Sequence, residues 1–170
     1  VGLFTSTTVA RAQRSVQVNG VDHRVYRTSR NITLDGRFTE PDWAQADSIT
    51  DFRQKDPAEG APSTERTVVR LLATPQGLAV GWSLYDSDAA NIVRSQVRRD
   101  AELRSDDYVS MGIDGLHDRR SAFYFRTNAN GALWDGEHVD VETGNESWDG
   151  VWDVRLSLIH ISEPTRPRLI

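Results

Sequence analysis

Residues 105–131, SDDYVSMGIDGLHDRRSAFYFRTNANG, alternate apolar and polar side chains twice over, with a polar, glycine-containing run between the two alternations. A period of two is the signature of a strand with one buried face. Val109, Met111 and Ile113 then share one face, and Tyr108, Ser110, Gly112 and Asp114 share the other. In the second run Phe123, Phe125 and Thr127 oppose Ala122, Tyr124 and Arg126. The spacing predicts a central antiparallel hairpin with its turn over residues 114–121. One face demands an apolar cover. The other offers Tyr, Arg and acids to a polar ligand.

The remaining chain reads as further short strands separated by turn residues. Strands are expected over 23–29, from Ile32 and Leu34 up to the Asp35-Gly36 turn, and over 48–53. Residues 65–73 and 78–85 make a hairpin about Pro75-Gln76-Gly77. Residues 131–140 and 151–155 are expected as strands after the central pair. Glu40-Pro41-Asp42-Trp43 fits a helical turn with Pro at its start, and residues 89–93 fit another. Many short strands with almost no helical periodicity argue for an all-β, antiparallel β-sandwich of one domain.

Bulk properties narrow the function. A net charge of −5 disfavours general attraction to nucleic acid phosphates. No apolar run approaches the roughly 20 residues that a membrane helix needs. The absence of cysteine removes thiol catalysis and Cys-based zinc sites. No G-x-S-x-G elbow, H-E-x-x-H, P-loop or G-x-G-x-x-G occurs, and His23, His117 and His138 stand without a recognisable partner. The chain is therefore expected to lack catalysis of its own.

Both ends depart from ordinary sequence. Residues 1–12 combine an apolar and small-residue run with Ala10-Arg11-Ala12, which fits a secretory-signal remnant cleaved before Gln13. Export to the periplasm, the outer membrane or the extracellular space follows as the expectation. At the other end LSLIHISEPTR, from Leu156 to Arg166, resembles the in-frame translation of a transposon-type sequencing adapter. Residues 156–170 are accordingly read as a non-native tail, leaving 13–155 as the folded region.

Within that region ITLDGRFTEPDW, LYDSD, SDDYVSMGID and FRTNANG fall in the order of landmarks found in family 9 carbohydrate-binding modules. The further spacing of RRD, SDD, HDRRSAF, TNANG and WDGVW resembles the module at the front of exported bacterial proteins whose later part looks like an outer-membrane barrel. The resemblance spans about residues 32–155. It implies a non-catalytic β-sandwich that binds an oligo- or polysaccharide. The parent protein could also carry a downstream barrel on which the module packs, or be a hydrolase of glycosidic bonds. In the family's sugar clamp a Trp stands three residues before an Asp and a Glu three after it. Here Asp107 takes the Asp position, Arg104 the Trp position and Ser110 the Glu position.

Sugars are held by aromatic faces and by planar polar side chains that bridge hydroxyls. The candidate ligand-binding set is therefore Tyr124 and Arg126 on the polar hairpin face, Trp134 and Trp148 beside polar loops, and Arg104 with Asp107. Cross-strand packing and a surface ion pair are the plainer roles for the first pair. Trp43, Trp82 and Trp152 are expected in the core. No cofactor is expected, but Asp86, Asp88 and Asp106, with Asp107, Asp114 and Asp118, could furnish oxygen ligands for a structural Ca²⁺. Solvated turn acids and caps are the alternative. The arginines Arg94, Arg98, Arg99 and Arg104 are expected to pair with interleaved acids such as Asp100 and Glu102.

Overall fold

A computed structural model describes residues 15–18, 21–139 and 144–157. The secretory-signal reading of 1–12 and most of the adapter-like tail lie outside these residues. Among the described residues the chain is mostly β, with three sheets and only two short 3₁₀ turns. The described residues divide into two compact units, one within 1–32 and 38–85 and the other within 33–37 and 86–170.

In the first unit β1 (Ser15–Val18) and β2 (Val21–Arg24) form an antiparallel pair. A second sheet has the order β3 (Tyr26–Arg27), β4 (Thr67–Thr74), β5 (Gly77–Leu84). The β4–β5 hairpin follows the sequence expectation, with Pro75-Gln76 as the turn and the pairing running from Thr67↔Leu84 to Thr74↔Gly77. One face of this sheet carries Val68 and Leu72. The other carries Val69 and Leu71, as period two requires.

The core of this unit gathers Trp43, Ala46 and Leu72, with Tyr26, Ile32, Phe38 and Ala79 packed against them. Pro41 begins the 3₁₀ turn Pro41–Gln45, where its fixed φ and missing N–H cost nothing. That turn drops Trp43 onto the sheet, its indole Nε1 donating to Glu40 Oε2 at 3.2 Å. Gly81 is the complementary choice on β5. A Cβ there would lie 2.7 Å from the Phe38 ring and 2.9 Å from Trp43.

Several expectations need correction. Ile32 and Leu34 form no strand; Ile32 is instead a packing residue of the core. Residues 48–53 contribute only the isolated bridges Ile49↔Val69 and Arg53↔Pro62. Residues 151–155 are irregular rather than a strand. The pairing is also not wholly antiparallel, because β3 runs parallel to β4, with Tyr26 beside Leu72 and Arg27 beside Ala73.

The second unit holds a four-stranded antiparallel meander: β6 (Tyr108–Ile113), β7 (Ser121–Asn128), β8 (Leu133–Val139) and β9 (Gly144–Asn145). β6 and β7 are the central hairpin, paired from Tyr108↔Asn128 to Ile113↔Phe123. The turn between them is organised by two aspartates. Asp114 accepts from the N–H groups of Asp118 and Arg119, and Asp118 from those of Arg120 and Ser121. These bonds, led by the Arg119 N–H for Asp114 and by the Ser121 N–H for Asp118, lower both carboxyl pKa values. They also hold His117 and Arg119 at positive φ.

The apolar face of the meander is covered by the irregular segment after β9. Trp148 packs at a tilt on Phe123 at 4.7 Å and meets Phe125 edge-on at 5.9 Å, while Trp152 meets Phe125 at 5.4 Å. Trp43 is a core residue, as expected. Trp82 and Trp152 are only half-buried.

Candidate functional site

The landmarks that carry the family resemblance turn out to bind one another. Asp106, from SDD, is buried, and its Oδ2 accepts from the N–H groups of Ser95 and Gln96 at 3.0 and 2.9 Å and from Asn128 Nδ2 at 2.7 Å. The Ser95 hydroxyl donates to Oδ1 at 2.5 Å. That hydroxyl first, and then the Gln96 N–H, hold the Asp106 pKa well below the usual carboxylate range. Asn128, from TNANG, donates to Gln96 O and accepts from the N–H groups of Asn130 and Ala132. Asp107 exchanges two hydrogen bonds with the backbone of Val93, each 2.8 Å.

A second cluster joins RRD to WDGVW. Asp135 is fully buried, and Arg99 Nη2 donates to its Oδ1 at 2.7 Å. Gly150 N donates to the other oxygen. Arg99 also reaches Asp149 at 2.9 Å and lies 3.7 Å from Asp100. Burial works against the Arg99 charge, but Asp135 and then Asp149 outweigh it, and its pKa is raised. The expected pairing of Arg99 with Asp100 is thus the weaker part of its environment. Asp135 in β8 carried no sequence signal, since an acid inside an alternating strand reads as solvent-facing.

Among the described residues no group of three or more His, Asp or Glu side chains is placed to hold a metal ion. Asp86 accepts from the Asp88 N–H and Asp88 from Asn91 Nδ2, so these acids organise a local turn. Asp106 has the four donors already described. Arg104 is exposed beside Glu102, which lies 3.6 Å from its Nε, and Asp107 is tied to Val93. Of the positions corresponding to the family's clamp, Arg104 and Asp107 are thus held by other partners, and Ser110 lies opposite Arg126 on the β6–β7 hairpin.

What does converge lies on the polar face of the meander. The register sets Ser110, Arg126 and Trp134 in one row and Gly112, Tyr124 and Gly136 in the next. His138, opposite Ala122, begins a third. Arg126 lies over the Trp134 ring, 4.0 Å from its centroid, and 5.9 Å from that of Tyr108. Tyr124 lies across Gly112, where a Cβ would come within 2.9 Å of its ring. Gly112 is thus what lets Tyr124 lie against the neighbouring strand. Tyr124 also meets the His138 ring edge-to-face, with centroids 4.8 Å apart.

Comparison with protein-family models, with curated proteins and with solved structures returns no match. The site is therefore read from its own geometry.

Of the sequence candidates, Tyr124, Arg126 and Trp134 come together on this face, and Trp148 does not. Trp148 covers Phe123 and Phe125 on the opposite face. Trp134 is not an exposed platform, because at 8% exposure it is packed with Leu103 and Ala132 under Arg126. His138, expected to be without a partner, packs against Tyr124. Tyr108, which is 41% exposed, completes the patch. Both additions follow from cross-strand register, which a single strand's alternation does not specify. Among the described residues no helix is long and apolar enough to cross a membrane.

Proposed function

We propose that this mostly β chain is a non-catalytic glycan-binding module of the β-sandwich type, and that the polar face of the β6–β8 meander is its binding face. The observation that carries the reading is Tyr124 laid across Gly112 between Arg126 and His138. The half-buried Tyr124 ring, packed beside Leu103, Ala132 and Trp134, would meet sugar C–H groups with the part of its surface that Gly112 and His138 leave free. The guanidinium and imidazole beside it supply planar hydrogen-bonding groups at the rim, where hydroxyls would lie. Tyr108, partly exposed beyond Arg126, extends the same surface along β6.

The test is binding of the chain to an array of neutral and acidic glycans, beside its Tyr124→Ala and Arg126→Ala variants. Saturable binding that each substitution weakens is the expected result. Absence of binding by the folded chain, or binding indifferent to both substitutions, contradicts the reading.

A further inference from the structure

Resting on the proposed glycan face, we infer that its preferred ligand is an acidic sugar, with a ring carboxylate seated on the guanidinium of Arg126. Arg126 projects from the middle strand of the meander, between the rings of Trp134 and Tyr108. Its Nε is buried without a hydrogen-bond partner. Among the described residues no carboxylate pairs with Arg126, unlike Arg99 with Asp135, Arg104 with Glu102 and Arg155 with Asp153. The side chain is half-buried, and the Trp134 and Tyr108 rings lie against its guanidinium.

A guanidinium in this state is preorganised for an anion. The Trp134 ring beneath the guanidinium and the buried Nε restrict the side chain, so less of its freedom remains to be lost on binding. Partial desolvation strengthens a charge-assisted bond, and two parallel N–H donors match the two oxygens of a carboxylate. The Tyr124 and Tyr108 rings, whose rows lie on either side of that of Arg126, suit the apolar faces of neighbouring pyranoses. The overall charge of −5 opposes polyanions in general. Recognition therefore rests on one seated carboxylate rather than on a diffuse basic surface.

Isothermal titration of the full chain with oligogalacturonate, and with the same oligosaccharide fully methyl-esterified, tests this directly. Binding of the acid is expected to be about tenfold or more tighter than that of the ester, as the loss of a bidentate charged contact implies. Arg126→Gln should bring acid and ester to the same affinity. Equal affinity of the two ligands for the unaltered chain overturns the acidic-sugar inference and leaves the glycan face standing. Binding of neither, with no binding of neutral glycans, removes both. If Arg126→Gln does not fold, the comparison of acid with ester on the unaltered chain decides alone.

Discussion

Asp106 shows at the scale of one residue how a motif can be structural. Its carboxylate has donors on every side, and its pKa is depressed chiefly by the Ser95 hydroxyl. In the unfolded chain the same group titrates near ~3.9. The unfolded state therefore binds more protons in acid, and the stability contributed by this carboxylate is complete above about pH 4 and lost as pH falls below it. The urea midpoint should fall accordingly between pH 5 and pH 2. Asp106→Asn should lower the midpoint at pH 7 and flatten this acid decline. Asp114 and Asp118 have pKa values shifted the same way and will leave a residual slope. An unchanged acid slope in Asp106→Asn contradicts the assignment. Arg99 makes a second case. Arg99→Ala leaves Asp135 wholly buried with only the Gly150 N–H, which should cost about 3 kcal/mol in urea unfolding, at the low end because Arg99 is itself 38% exposed. Asp135→Asn, which keeps an acceptor for that N–H, should cost less.

At the scale of elements, hairpins were the legible part and their surroundings were not. The β6–β7 and β4–β5 pairs follow from alternation and local turns, both written in contiguous residues. The parallel β3–β4 contact joins Tyr26 to Leu72, and nothing near Tyr26 names that partner. Ile32 and residues 151–155 look strand-like because apolar residues that pack on a sheet from irregular backbone have the same composition as strands. Trp148 and Trp152 show the point, since they cover Phe125 without pairing to it. The candidate site was legible to the extent that one face of one hairpin was. Tyr124 and Arg126 come from that alternation, whereas His138 and the buried state of Trp134 depend on β8 register. Packing between elements gives its own prediction. Gly81→Ala forces a methyl against Phe38 and Trp43, two rings with little room to retreat, and should destabilise by about 1–3 kcal/mol in thermal or urea unfolding. Leu72→Ala, at a position with no exposed surface, should cost about 2–5 kcal/mol.

Across the whole molecule, buried polar networks hold the SDD, TNANG, RRD and WDGVW landmarks, with Asp107 tied to the Val93 backbone and Arg104 beside Glu102. The aromatic and cationic side chains gather instead on the polar face of the meander, while its other face is closed by Trp148 and Trp152. The two faces of one sheet thus provide an internal control for the proposed function. The most direct measurement is a ¹H–¹⁵N NMR titration of the chain with oligogalacturonate, following Tyr108, Tyr124, Arg126 and His138 against Phe123, Phe125, Trp148 and Trp152. Saturating shifts concentrated on the first group are predicted. Shifts concentrated on the second group, or none with either this ligand or neutral oligosaccharides, would contradict the assignment of this face.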